Sequence, residues 1–257
     1  MPNGTIIDLI VGAMGLPPAG RVDRRVPKTV LSEHGASSAA QRKMIDRTVE
    51  RLDWLATLSP ATAGVAARTD GERPVSEIQL LALTARGVPT QALLTIIHRA
   101  IPYPLILLSR LLSGAVRVSL APLRNAERLH ERMVVERLIV APDLTAPLDA
   151  PAEAFVSSLY IGTLPQADLG ALYEGLVQRV EALAAARLSG TGFKLPSDAA
   201  AAATRRDNLA QYSQLETAWI AARAAARKEK RLAHQVALAE QARVLEKQIK
   251  ALVSRLA

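Results

Sequence analysis

Apolar residues recur at helical spacing in four segments of the first three-quarters of the chain. The clearest is 38–59, where Ile45, Val49 and Leu52 lie on one face, charged residues cover the other, and Pro60 follows. The other segments are bounded in the same way by capping residues, prolines or glycines. We therefore predict helices over residues 4–14, 38–59 and 90–100, and from about 165 to 188.

Shorter apolar runs, bounded by glycine, proline or polar clusters, have the character of strands. Ser113 and Gly114 separate two of these runs and predict a tight hairpin, while 105-LILL-108 is apolar throughout and indicates a central strand. The predicted strands are 62–68, 75–85, 104–112, 115–123 and 134–141. Together with the helices they predict an α+β domain over 1–188, built on a mixed sheet of about five strands with flanking helices.

The last segment, 199–257, follows a linker at 189–198 and contains no glycine or proline. It predicts one long helix with coiled-coil character, because apolar residues alternate spacings of four and three along its second half. Upstream, Arg231 and Gln235 would fall on the same seam. We favour pairing with another chain over packing on the chain's own body, since that polar half would sit badly in a core. The seam residues, which predict homo-oligomerisation, are Leu238, Ala242, Leu245, Ile249, Leu252 and Leu256.

Charge is concentrated in this segment. The chain has a net charge of +8, and from Thr204 onward eleven Lys/Arg face five Asp/Glu, so +6 of it lies there. A basic segment on a near-neutral body suggests an acidic partner such as nucleic acid, although a solvated, arginine-rich helix fits equally well. The residues that we expect to contact phosphates cluster within three helical turns: Arg223, Arg227, Lys228, Lys230 and Arg231.

Composition narrows the possible classes of protein. Nearly half of the residues are apolar but only 3% are aromatic, which predicts an aliphatic core. The absence of cysteine removes disulfides and thiol chemistry and fits a reducing cytoplasm. The apolar start lacks a basic leader, and the longest apolar stretch, 101–123, is interrupted by Arg110 and Arg117. We therefore expect no signal peptide and no membrane span.

Motifs for catalysis are missing from the sequence. It has no phosphate-binding P-loop, no dinucleotide-binding glycine pattern and no nucleophile elbow, and its four histidines are scattered singly. A metal nuclease needs converging carboxylates and a lysine. The candidate strand offers Glu77, but Leu83, Thr84 and Ala85 stand where an acidic-x-lysine pair is needed. We expect no metal site, no cofactor and no catalytic residue.

Two groups of polar residues remain as candidates for chemistry. His98 and Tyr103 could form an acid/base pair, but the prolines around Tyr103 favour a structural join between a helix and the central strand. Glu33 and His34 lie close to Lys28, and we favour a solvated helix start with an intrahelical ion pair of Lys28 and Glu33.

Several segments of the chain, in their order, resemble those of a family of uncharacterised bacterial proteins that is catalogued as a domain of unknown function. The resemblance rests on 16-LPP-18, 26-VPKTVLSEH-34, 52-LDWLATLSPATAGV-65, 76-SEIQLLAL-83, 101-IPYPLILL-108, 168-DLGALYEGLVQRV-180 and the end, 229–252. It implies a gene neighbourhood of helicases and DNA methyltransferases, as in type III restriction-modification-like phage-defence loci. No catalytic residue carries over, and 82-ALTAR-86 departs from the acidic residue and lysine that relatives tend to have.

We expect a non-enzymatic accessory subunit of a bacterial DNA-defence or DNA-modification complex. Its body would dock a helicase or DNA methyltransferase of the same locus, and its basic helix would mediate oligomerisation, partner docking or DNA contact. The alternative is a cryptic metal-dependent nuclease or nucleotide-processing enzyme that uses Glu33, Glu77, His98 or Tyr103.

Overall fold

The computed structural model describes residues 5–126 and 129–256, which form two compact units. The first unit ends at Val180 and the second begins at Glu181. The α-helices are α1 (Ile6–Ala13), α2 (Lys28–Val30), α3 (Ala39–Thr48), α4 (Pro60–Ala63), α5 (Gln91–Ala100), α6 (Ala150–Ser158), α7 (Leu169–Ser189), α8 (Ala199–Lys228) and α9 (Leu232–Val253). A π-helix occupies Leu31–Gly35, and short 3-10 turns occupy Pro18–Gly20 and Ile161–Thr163.

A six-stranded mixed sheet organises the first unit. Its strands lie in the order β1 (Arg21–Arg25), β2 (Val49–Leu58), β3 (Ile78–Ala85), β4 (Leu105–Arg110), β5 (Val116–Leu120) and β8 (Ile139–Val140). Neighbours are antiparallel except β3 and β4, which are parallel and joined by α5. Strands β6 (Leu123–Ala126) and β7 (Leu129–Val135) form a separate antiparallel pair. The predicted α+β class with a mixed sheet is confirmed.

Helices cover both faces of the sheet, which explains the unbroken apolar run in β4. On one side, which we call the α5 face, Leu105 and Leu107 pack into a core with residues of α3 and α5. On the other side, the α7 face, Ile106 and Leu108 lie with residues of α1 and α7 around a small apolar cavity. A strand buried on both faces has no polar side to present, so the predicted central position of β4 is confirmed. The hairpin at Ser113–Gly114 is also present, with Gly114 at a φ of +83°.

The predicted helix over 38–59 is wrong in its second half. Helix α3 ends at Thr48, and the chain continues as the ten-residue strand β2. The register with β3 shifts between Val49 and Arg51, so Glu50 is an extra residue in a β-bulge. The bulge turns Val49 and Leu52, three residues apart, toward the same core. Their spacing therefore imitates that of a helix.

Two predicted strands also differ from the structure. Residues 62–68 are not a strand, because Pro60 begins the short helix α4 and only Arg68 bridges to Val75. The predicted strand over 134–141 is divided between the end of β7 and the two-residue strand β8. Strand β1 of the main sheet lies outside the predicted strands, as β2 does.

The predicted single C-terminal helix is two helices. Helices α8 and α9 pack against each other in antiparallel fashion, as the hydrogen bond from the Gln235 side chain to the Ala226 carbonyl indicates. We call the pair the helical hairpin. The turn between them contains no glycine or proline; instead the Glu229 carboxylate accepts the backbone N–H groups of Lys230 and Arg231, each at 2.8 Å. An acidic side chain that satisfies donors at a helix start stabilises the break there.

In the described part of the chain, no helix is both long enough and apolar enough to cross a lipid bilayer.

Candidate nucleic-acid interface

The helical hairpin gathers cations from both of its helices into one shallow groove. Arg223 and Arg227 on α8 line it together with Arg243 on α9, and Trp219 and Glu246 complete its walls. Residues four apart lie on the same side of a helix, so Arg223 and Arg227 project together. The antiparallel packing then brings Arg243 beside them. The groove therefore presents three guanidinium groups against one carboxylate.

Local contacts fix two of the groove's charged side chains. The guanidinium of Arg223 lies over the Trp219 ring, 4.6 Å from its centroid, at the distance of a cation–π contact. Glu246 accepts a hydrogen bond from Lys250 at 2.7 Å, and this bond, assisted by the charge of Arg223, lowers the pKa of the Glu246 carboxyl. Arg223 is thereby oriented along the groove while remaining exposed.

The five cations predicted to contact phosphates are all exposed, and they lie toward the turn of the hairpin. Arg223 and Arg227 line the groove, Lys228 is the last residue of α8, and Lys230 and Arg231 belong to the turn itself. The structure thus divides the predicted cluster between a groove wall and a turn.

Sequence reasoning missed the contribution of α9. Arg243, Lys247 and Lys250 line a second groove beside the first, together with Glu240 and Glu246. Their spacing of four and then three residues was the available signal, since it places basic side chains on one helical face. The basic surface of the hairpin, which we define as Arg223, Arg227, Arg243, Lys247 and Lys250, is accordingly longer than the predicted one.

The predicted oligomerisation seam is partly buried within the single chain. Ala242, Leu252 and Leu256 are buried, and Leu238, Leu245 and Ile249 are half-buried. Other large apolar side chains of the hairpin are exposed instead: Ile220, Leu232, Val236 and Val244. Pairing of the seam with a second chain stays a prediction.

His98 lies in the last turn of α5, and Tyr103 lies in the segment that joins α5 to β4. His98 is only 1% exposed, and its Nε2 lies 3.0 Å from the Ser119 hydroxyl on β5. Burial lowers the pKa of its imidazole to about 3, because the charged form loses its hydration. A neutral, enclosed imidazole bonded to a core serine fits a packing role, in line with the favoured structural interpretation.

The hydroxyl that braces this join belongs to Tyr173 of α7, a residue that the sequence did not single out. It accepts the backbone N–H of Ala121 at 2.8 Å and donates to the carbonyl of Leu105 at 2.9 Å. It thus ties the start of β4 to the segment just after β5. Burial raises the pKa of this phenol well above its ordinary value, so it remains protonated and able to donate.

Replacing Tyr173 with phenylalanine should lower the free energy of unfolding by about 1–3 kcal/mol, because it leaves a buried N–H and a buried carbonyl without partners. Urea denaturation measures this loss. Tyr103→Phe is the matched control, since Tyr103 is half-buried and follows the helix at the same join. Equal stability of the two variants would contradict the bracing role of Tyr173.

Among the described residues, the acidic side chains considered for a nuclease do not group around a metal site. Glu77 accepts a hydrogen bond from the Gln79 amide at 2.8 Å, while Glu33 is an exposed residue of the π-helix. On β2, Asp53 stands opposite Ala82 of β3, which supplies no second carboxylate. Among the described residues no three His, Asp or Glu side chains group to hold a metal ion; the side chain of His130 lies outside them.

Fold and surface together define an α+β protein with a mixed six-stranded sheet, continued by a basic antiparallel helical hairpin. The chain belongs to the family described as Domain of unknown function (DUF4391), whose profile matches residues 14–249. The match spans both units, so it confirms the family-level resemblance. No curated protein matches the chain, and neither does any solved structure.

Proposed function

We propose that the protein is a non-enzymatic accessory subunit of a bacterial DNA-defence or DNA-modification complex, and that its helical hairpin contacts DNA phosphates. The observation that carries the DNA contact is the basic surface of the hairpin, where cations from α8 and α9 meet in adjoining grooves. Guanidinium groups match the geometry of phosphate oxygens and remain charged at every physiological pH.

Docking of partners is the second part of the proposal, and it rests on the gene neighbourhood that the family resemblance implies. We propose a cytoplasmic helicase or DNA methyltransferase as the partner, with self-association through the exposed apolar residues of the hairpin. Leu232 and Val236 are one helical turn apart and remain 73% and 60% exposed. Proteins that copurify from the native host should include such an enzyme, and recovery of the chain alone would contradict this part.

The DNA contact is tested by the triple variant R223Q/R227Q/R243Q of the full chain. We expect its affinity for a short duplex DNA to fall about 10- to 100-fold. The slope of log K against log salt should become shallower by roughly 0.9 for each phosphate that the variant no longer neutralises. Fluorescence anisotropy over a salt series measures both quantities.

The matched control is R42Q/K43Q/R47Q, which removes the same charge from exposed positions on α3. A general electrostatic effect would weaken binding equally in both variants and would contradict the proposal, as would a full chain that binds DNA without salt dependence. Incubation of the full chain with the same DNA and Mg²⁺ or Mn²⁺ tests the proposal that the protein is not an enzyme. Metal-dependent cleavage that Glu77→Ala abolishes would overturn this proposal.

A further inference from the structure

One end of the α7 face of the sheet carries arginines from three different strands. Strand register aligns Arg25 of β1 with Asp53 of β2, which in turn lies opposite Ala82 of β3. Two residue pairs further along, and so on the same face, register aligns Arg51 of β2 with Thr84 of β3 and with Arg110 of β4. Side chains at aligned positions project from the same face of a sheet.

Two observations place this row on the α7 face. The neighbouring residues of β2, Leu52 and Trp54, pack into the opposite core on the α5 face, so Asp53 between them projects the other way. Leu108, which is aligned with Ala82, lines the cavity on the α7 face. We call Arg25, Arg51 and Arg110 the arginine row.

All three members of the arginine row are exposed to solvent. Within the described residues, the Arg25 guanidinium has neither an ion-pair nor a hydrogen-bond partner. Arg51 contacts Asp53 at 2.7 Å but keeps more than half of its side chain exposed, and Arg110 makes a long contact of 3.4 Å with the Thr5 hydroxyl. The row therefore has free donors for an external anion.

The spread of these cations indicates the shape of the anion. Adjacent strands lie about 4.8 Å apart, so the row from β1 to β4 extends over roughly 14 Å. A single phosphate would be held by converging donors, whereas cations spread from β1 to β4 suit a polymer with regularly repeated charges. Phosphates of one DNA strand advance about 3.4 Å per nucleotide along the helix axis, so about four of them span the row. Thr84, between Arg51 and Arg110, adds a hydroxyl that can donate to a phosphate oxygen.

We propose that the arginine row is a second binding surface, on the α+β unit, for the sugar-phosphate backbone of nucleic acid. Because strands hold their side chains on a rigid frame, the row binds with less ordering cost than flexible surface lysines would. Asp53 orients Arg51 for this contact. The row binds phosphates alone, so it contributes affinity and orientation without a preference for sequence.

The test is R25Q/R51Q/R110Q in the full chain, measured on duplex and single-stranded DNA over a salt series. We expect affinity to fall about 10- to 100-fold and the salt slope to become shallower by up to about 2.7, which corresponds to one phosphate for each arginine. The double variant R25Q/R110Q leaves the Arg51–Asp53 ion pair intact, and it should show about two-thirds of that change in slope if the triple variant proves unstable.

Arg24 offers a control within the same strand. It is aligned with Trp54 and therefore projects from the α5 face, so R24Q removes the same charge from β1 as R25Q does. R25Q should weaken binding severalfold, and R24Q should leave it unchanged. Equal effects of the two single variants would overturn the proposal.

Failure of this proposal is distinguishable from failure of the hairpin contact. If R223Q/R227Q/R243Q loses affinity while R25Q/R51Q/R110Q matches R42Q/K43Q/R47Q, the row is not a binding surface and the hairpin contact stands. If R25Q/R51Q/R110Q loses affinity while R223Q/R227Q/R243Q matches R42Q/K43Q/R47Q, the hairpin contact is overturned and the arginine row stands. Binding of polyglutamate with the same dependence on Arg25, without binding of DNA, would identify an acidic polypeptide as the ligand and overturn the nucleic-acid assignment.

Discussion

Replacing Gly35 with alanine is expected to lower the free energy of unfolding of the first unit by about 3 kcal/mol or more. Gly35 ends the π-helix at the point where α5 passes closest. A Cβ there would lie 2.5 Å from the Ile96 carbonyl oxygen and 2.9 Å from the Ala100 Cβ. The carbonyl of Gly35 also accepts the Arg99 guanidinium, so the backbone cannot retreat without breaking that hydrogen bond. The clash is with backbone, which no rotamer change relieves.

Trp54 allows this loss to be measured in the first unit alone. It packs against the same core as Leu31 and Ile96, and the only other tryptophan is Trp219 in the helical hairpin. In a Trp219→Phe background, the fluorescence of Trp54 through a urea titration therefore reports the unit that contains Gly35. The control is Gly71→Ala, because an added Cβ at Gly71 meets no atom within 4 Å. A Gly35 variant as stable as the Gly71 variant would show that α5 can move away.

Acidification below pH 6.5 should destabilise the first unit through His98. The imidazole has a pKa of about 3 when buried and near 6.5 when the chain is unfolded, so the unfolded state binds more protons between these values. The contribution of the neutral His98 to the free energy of unfolding is complete above pH 6.5. It is lost as the pH falls toward 3, by about 1.4 kcal/mol for each pH unit. From pH 6.5 to pH 5 the loss is roughly 2 kcal/mol, before most carboxyl groups titrate.

The comparison of His98→Gln with His34→Gln isolates this effect. Glutamine at position 98 can keep a hydrogen bond to Ser119 but cannot titrate, so the stability of that variant should depend far less on pH between 6.5 and 5. His34 is exposed, so His34→Gln serves as the control for replacing a histidine outside the core. Urea midpoints at several pH values measure the slopes, and an undiminished slope in His98→Gln would contradict the assignment.

Sequence patterns predicted the elements that carry their own boundary signals. Helix α5 begins after the cap Thr90 and ends before 102-PYP-104, and β4 and β5 are joined by a turn with a positive-φ glycine. Strand β2 was predicted as part of a helix, because its bulge at Glu50 gives the apolar residues a helical spacing. The break between α8 and α9 at 229–231 was not predicted, because a carboxylate, rather than glycine or proline, stabilises it.

Candidate surfaces were predictable only where they are local in sequence. The cations at 223–231 are neighbours along the chain, so composition revealed them. Arg243 joins them only because α8 and α9 are antiparallel, and Arg25, Arg51 and Arg110 are aligned only by strand register. Surfaces that helix packing or strand register assembles from distant residues depend on tertiary structure, and the pattern of a single sequence does not reveal that pairing.

The two outer strands of the sheet bear on how copies of this protein can assemble. At one edge, β1 is irregular: its register shifts between Arg21 and Arg24, and Asp23 adopts a φ of +49°. At the other edge, β8 is only two residues long. An irregular, cationic edge and a very short one are poor templates for a foreign strand. Growth of fibrils by strand addition at these two edges is thereby disfavoured, even at high protein concentration.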